Sequence, residues 1–238
     1  MFQSAKYSPL PMDPSLRAWY DASRVLGVNT ANPANSTALS MVADLSGNSN
    51  YLTSSGASQP LYKTNVQNGL GAIHSVDSND YLKNTISSKL TTSAMYIASV
   101  AKSPTTGINK GIYAIHSIDG GLAGQIIGIF GSTGLYGETA INSTTNVGLN
   151  GPVYTTATAL IEHYWGAGTV SMQINGGTAS TVSSTVYQIT DAYIMIANHP
   201  SLSFGDLHVM EVLMYCRLPS AAERLIIRNY LNAKWSVY

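Results

Sequence analysis

The sequence predicts an all-β fold, an antiparallel sandwich closed by one short C-terminal helix. Three observations carry that prediction. Short apolar runs recur along the whole chain between turns rich in Gly, Asn and Pro. Helical spacing joined to a start signal occurs in one stretch only, near the C-terminus. No strand–loop–helix alternation appears of the kind that builds a parallel sheet. At 238 residues the chain is long enough for one large sandwich core, and no internal stretch reads as a linker.

Taken in order, residues 1–14 carry Pro9, Pro11 and Pro14 and are too proline-rich for a central strand, so they are expected to form an extended N-terminal arm. Residues 15–238 are then expected to form a single domain. Residues 29–40 read as a polar loop. Gly47 and Asn48 supply the backbone freedom for a tight turn after Asp44. Leu61-Tyr62 and Ala72-Ile73 flank an Asn68-Gly69 turn. Residues 95–101, 112–118 and 126–130 follow as short buried strands. Residues 158–165 and 170–174 flank a Gly-Ala-Gly turn, Asn175-Gly176-Gly177 closes the next hairpin, and residues 187–197 supply one more strand.

The organising stretch runs from Gly205 to Trp235. A period-2 ladder places Leu207, Val209, Glu211, Leu213 and Tyr215 on one side and His208, Met210, Val212, Met214 and Cys216 on the other. A strand apolar on both faces belongs at the centre of a sheet. Leu218-Pro219 stops it, Ser220 caps the free amides that follow, and Glu223 completes a capping box. Ile226, Ile227, Tyr230, Leu231 and Trp235 then recur at helical spacing, predicting an amphipathic helix over 221–234 packed by Ile227, Leu231 and Trp235.

This arrangement, Gly205-Asp206-Leu207-His208-Val209-Met210-Glu211 through Leu218-Pro219-Ser220-Ala221-Ala222-Glu223-Arg224 and on to Tyr230-Leu231-Asn232-Ala233-Lys234-Trp235, resembles the C-terminal signature of the laminin-G-like jelly-roll family within the concanavalin A-like superfamily. Leu16 to Ser23 is similar to that family's opening strand, where an aromatic pair precedes an Asp. Asp44 to Asn48 is similar to its tight turn, with Val42 where a Trp usually stands. Pro60, Asn68-Gly69, Ala72-Ile73 and Asp80-Tyr81-Leu82 follow its order, although Ser75-Val76-Asp77 replaces the usual Phe-Asp-Gly. The resemblance implies a concanavalin A-like jelly roll, found in secreted bacterial proteins and phage virion proteins that serve in adhesion, sugar binding or particle assembly. Fold alone does not transfer function.

Composition narrows the setting. Charged residues make up 10%, against roughly 25% in an ordinary domain, so the surface is neutral and polar. Twelve basic and twelve acidic residues cancel, which argues against nucleic-acid binding and membrane-surface attachment, and no apolar run is long enough for membrane insertion. Zero net charge gives little protection from self-association, so a homo-oligomer is expected. The single Cys216 reads as a buried small hydrophobe, and the N-terminal sequence lacks a secretory signal pattern.

Carboxylates, histidines and aromatics were each weighed for chemistry. Retaining glycoside hydrolysis needs two carboxylates about 5 Å apart, yet Glu211 and Glu162 each stand alone in their strands. Glu211 is expected to pair structurally with Arg217, Arg224 or a backbone donor. His74, His116, His163, His199 and His208 are scattered, with no metalloprotease spacing, and read as core or surface residues rather than ligands. Asp77, Asn79 and Asp80 in one loop, and Asp44, Asn48 and Asn50 in another, offer oxygen atoms to calcium, but neither completes a calcium loop and turn capping is the preferred reading. Fifteen Tyr against three Phe and three Trp suit an interface. Tyr136, Tyr154, His163 and Trp165 are the expected ligand-binding residues, by stacking on a sugar or packing on a partner.

Together these readings favour a non-enzymatic phage virion protein, a capsid decoration or fibre component. It would assemble with itself and with other virion proteins, be located in the virion, and bind host-surface glycans. The alternative is a secreted, extracellular carbohydrate-binding lectin, with a glycanase third.

Overall fold

The computed structural model of the chain describes residues 10–76, 79–84, 92–105, 110–117, 126–130, 135–140, 146–151, 156–166, 168–183, 192–197 and 206–238. Its first half contains strands Leu16–Asp21 (β1), Met41–Val42 (β2), Leu52–Thr53 (β3), Leu61–Gln67 (β4), Leu70–Ser75 (β5), Leu82–Lys83 (β6), Met95–Lys102 (β7) and Lys110–Ser117 (β8). Then come Ile126–Phe130 (β9), Leu135–Ala140 (β10), Asn146–Asn150 (β11), Ala159–Gly166 (β12), Thr169–Ile174 (β13), Ser180–Ser183 (β14), Ala192–Ile196 (β15), Leu207–Tyr215 (β16) and the helix Ala221–Trp235 (α1).

These strands form two antiparallel sheets of eight. One runs β14-β13-β12-β7-β16-β5-β4 with β1 also paired to β16, and the other runs β11-β10-β9-β8-β15-β6-β3-β2. The expected all-β sandwich with one C-terminal helix is therefore what the chain forms. Its core draws Ile97, Ile161 and Val212 from the first sheet and Ile112, Ile115 and Ile194 from the second, all fully buried. A second apolar cluster lies on the outer face of the first sheet, where Tyr96, Ala98, Val100, Leu160, Met210, Leu213 and Tyr215 meet Ile227, Leu231 and Trp235 of α1. Burying each large side chain there stabilises by about 1.5–3 kcal/mol.

β16 is central, paired with β1, β5 and β7. Its faces do not alternate as the ladder predicts. The register with β7 slips between Val209, opposite Ala101, and Glu211, opposite Val100, so Met210 is the extra residue of a bulge. Leu207, Val209, Val212 and Met214 consequently face the sandwich core, whereas Met210, Leu213 and Tyr215 face α1. Glu211, expected on the side of Leu207 and Val209, is turned to the helix instead.

The capping box forms as read: Glu223 N donates to Ser220 Oγ at 3.3 Å, and Ser220 N donates to Glu223 Oε2 at 2.8 Å. Arg217 reinforces it with two bonds to the Glu223 carboxylate, at 2.9 and 2.6 Å, and holds that carboxyl down at about 2. Ser236, with φ 49°, ends the helix in a left-handed cap whose N–H donates to Asn232 O at 2.7 Å. The Asn68-Gly69 turn has φ 49° and 73°, the pair of positive values that a two-residue hairpin needs, and Asn68 Nδ2 donates to Lys234 O at 2.7 Å. Within the expected N-terminal arm, residues 1–9 lie outside the described residues. Leu10 is buried in the outer cluster, and Asp13 accepts a bond from Arg217 at 2.5 Å.

Candidate functional site

The outer face of the first sheet has two ends. At the end covered by α1, both carboxylates weighed for catalysis are committed to the helix. Glu211, fully buried, accepts from Trp19 Nε1 at 2.7 Å, Tyr230 Oη at 2.9 Å, Trp235 Nε1 at 2.7 Å and Lys234 Nζ at 2.7 Å. Lys234 also lies 2.6 Å from Asp21, which faces Glu211 across the β1–β16 ladder. Burial and the neighbouring Asp21 push the Glu211 carboxyl above its ordinary range, and Lys234 pulls it back. These partners differ from the expected Arg217 or Arg224, because the bulge turns Glu211 toward the last turn of the helix rather than toward the start of it.

Glu162, on β12, is held the same way. Arg228 grips it with Nε at 2.7 Å and Nη2 at 3.2 Å, Tyr96 Oη donates at 2.8 Å, and Gln173 Nε2 adds a further bond. Both acids therefore neutralise cations of α1 and fix its position. Neither presents a carboxyl to a substrate.

The expected ligand-binding residues fall elsewhere. On β12, Leu160, Glu162 and Tyr164 point outward, so Ile161, His163 and Trp165 point into the sandwich. His163 and Trp165 are 0% and 1% exposed, which closes both rings to a sugar. Tyr113 Oη lies 2.9 Å from His163 Nδ1, and burial pushes the imidazole down to about 4. Tyr136 sits in β10, opposite Ile129 of β9 and Asn150 of β11. Tyr154 and Asp77 lie outside the described residues. The exposed large aromatic rings among the described residues are Tyr51 and Tyr238, 46% and 58% exposed, which sequence reasoning passed over because neither stands in an alternating run.

Tyr51 is presented by a rigid turn. Asp44 accepts from Trp19 N at 3.0 Å, Ser46 N at 2.9 Å, Asn50 N at 2.9 Å and Ser46 Oγ at 2.8 Å. Asn48 and Asn50 donate to Leu16 O and Arg17 O at 2.7 and 2.6 Å. The side-chain oxygens of Asp44 are taken by protein donors, the capping role preferred over calcium. Asp80 likewise accepts from Val76 N at 2.7 Å, with Asn79 exposed beside it. The Cys216 thiol, pushed up to about 11 by burial, stays protonated at neutral pH.

At the end of the same face beyond α1, the ladder brings together side chains that looked scattered in sequence. His208 of β16 stands opposite His74 of β5 and Lys102 of β7. The two imidazole centroids are 4.4 Å apart, and His74 Nε2 lies 3.2 Å from Asp206 Oδ1. Burial, His74 and the nearby Lys102 and Lys63 push His208 down to about 4, against the opposing pull of Asp206. The reading of these histidines as unrelated residues is corrected here: 134 positions separate them, and only strand pairing makes them neighbours.

No family of known proteins matches the sequence, and neither does any curated protein. Solved structures do match in fold. The binding domain of botulinum neurotoxin DC in complex with SialylT is similar over 92% of this chain, with TM-score 0.65 and 12% identity. A structure titled for the dependence of botulinum neurotoxin type C cell entry on two ganglioside molecules is similar over 91%, with TM-score 0.63 and 13% identity. The binding domain of Paraclostridial Mosquitocidal Protein 1 is similar over 82%, with TM-score 0.58 and 13% identity. This chain spans about half the length of those chains, 52%, 51% and 50% respectively. At such identities the likeness is one of fold, a β-sandwich.

Proposed function

We propose that this chain is a non-enzymatic recognition module that binds glycans through rings on its surface loops. The observation that carries the reading is the fold it shares with the toxin binding domains, one of them solved with SialylT and another titled for its ganglioside dependence. The commitment of Glu162 and Glu211 to α1 supports binding over hydrolysis. Tyr51, exposed on a turn that its own side chains hold rigid, is the ring we assign to sugar stacking, with neighbouring Asn and Ser groups as hydrogen-bond partners.

The setting we propose is a phage particle, on which the module acts as an oligomeric decoration or fibre component. The jelly-roll signature of the C-terminal stretch and the neutral, polar composition support it. A glycan array probed with the purified protein tests the binding reading. Selective capture is expected, with Tyr51→Ala about tenfold weaker and equally stable, while a blank array overturns it. Antibody labelling of purified particles tests the setting, and particles without copies would favour the secreted lectin. No reducing sugar should be released from a polysaccharide panel.

A further inference from the structure

We propose that His74, Asp206 and His208 form a binding site for a divalent transition metal, zinc before others, at the end of the first sheet's outer face beyond α1. Their ligating atoms all lie within 4.8 Å of one another. Across an occupied tetrahedral zinc site, ligand atoms stand about 3.3 Å apart, so side-chain rotations of about an ångström close the set. The scaffold is rigid where it needs to be. His74 and His208 are directly paired residues of neighbouring antiparallel strands, so their Cβ atoms project together from one face.

Asp206 comes to the same point because its backbone is left-handed, with φ 51°. That conformation is uncommon for a residue with a side chain, and here it sets the carboxylate against His74 at 3.2 Å. The decisive feature is polar accounting. His74 Nδ1 and both ring nitrogens of His208 are buried and have no hydrogen-bond partner among the described residues. Buried polar atoms of this kind ordinarily have partners, and three in one spot mark a place where something else is bound.

The donor set selects the ion. Two imidazoles and one carboxylate suit zinc or another late first-row metal and are a poor match for calcium, which prefers six or more oxygens. Three protein ligands leave a position for water or for an incoming ligand. Entry from solvent is open, since the Asp206 side chain is 40% exposed and that of His74 is 12% exposed. Lys63 and Lys102 stand nearby and oppose a bound cation, while the Asp206 carboxylate offsets part of that charge.

The test uses the whole chain, stripped with chelator and titrated with cobalt(II) as a spectroscopic probe and with zinc chloride in competition. One equivalent of cobalt is expected to give the visible bands of a low-coordinate site, displaced by zinc, and zinc is expected to raise the thermal midpoint. His74→Ala and His208→Gln should each weaken zinc by more than the about 10–100-fold that an outer-shell partner is worth, and Asp206→Asn should weaken it less. If His74→Ala does not fold, the His208→Gln and Asp206→Asn titrations decide. The proposal is overturned if wild type gives no cobalt spectrum and no zinc-dependent midpoint. It is also overturned if the variants bind as wild type does, in which case the two rings are a stacked pair only. Glycan capture is read separately, so this outcome leaves the recognition reading intact.

Discussion

The two ends of the first sheet's outer face share strands, spacing and pairing, and differ in what lies over them. Under α1, the face carries Glu162 and Glu211, fully buried, and each meets a cation and several neutral donors. Beyond the helix, β5, β16 and β7 carry His74, His208 and Lys102, half-buried, with ring nitrogens left unpartnered among the described residues. The lesson is that charge on this face is set by its cover. A buried acid persists where the helix delivers Lys234 and Arg228, because removing water from a lone carboxylate is expensive unless it is paired and fully bonded. Where none of the described residues delivers a partner, the sheet carries imidazoles that can be neutral, the groups proposed above to hold a metal.

Removing the anchor of the helix should cost the most. Trp235→Ala deletes a fully buried ring and the indole N–H that satisfies Glu211, and should cost about 4 kcal/mol in urea unfolding. A change near zero would mean that the helix does not cover the face at all. Lys234→Met follows, at about 3 kcal/mol, because it leaves Glu211 without its cation and facing Asp21, whose remaining cation is Arg24 at 3.8 Å. Adding Glu211→Gln and Asp21→Asn to it should recover most of that loss. An additive, worsening triple variant would show that the charges were not coupled.

A pH dependence comes from inside the sandwich, alongside that of His208, which is also held at about 4. Burial holds His163 at about 4 against an ordinary 6.5, so the unfolded chain takes up the proton first as pH falls. Its contribution is complete above pH 6.5 and is lost progressively between about 6.5 and 4, amounting to about 3 kcal/mol at the acid end. His163→Gln should remove its own share of that limb and leave the share of His208, and an unchanged profile would place the acid sensitivity elsewhere. The smallest effect belongs to the bare end: His74→Ala and His208→Ala together should change metal-free stability by about 1 kcal/mol or less. A loss as large as that of Trp235→Ala would make the bare end a second structural core.

What could be read in advance follows the same division. The helix was legible residue by residue, since Ser220, Glu223, Ile227, Leu231 and Trp235 act through spacings of three and four within one segment. The strands were legible as runs, and the Asn68-Gly69 turn by its chemistry. Glu211's partners were not, because one extra residue at Met210 reverses every later face of β16, and a bulge leaves no mark in an apolar run. His163 and Trp165 were misassigned for a related reason: their ring chemistry suits stacking on a sugar, whereas the phase of β12 sends both inward. The pairing of His74 with His208 required knowing that β5 and β16 are neighbours, which no local pattern contains.

If α1 closes one end of the face as part of the core, side-chain hydrogen exchange of the indoles will show it. The N–H groups of Trp19 and Trp235 both donate to Glu211 at 2.7 Å. They should exchange only as slowly as the most protected amides of β16, through global unfolding. Indole protons that exchange at the rate of a free side chain while β16 stays protected would show the helix lifting off by itself. Glu211 would then be open to solvent, and the division between a sealed end and a binding end would be lost.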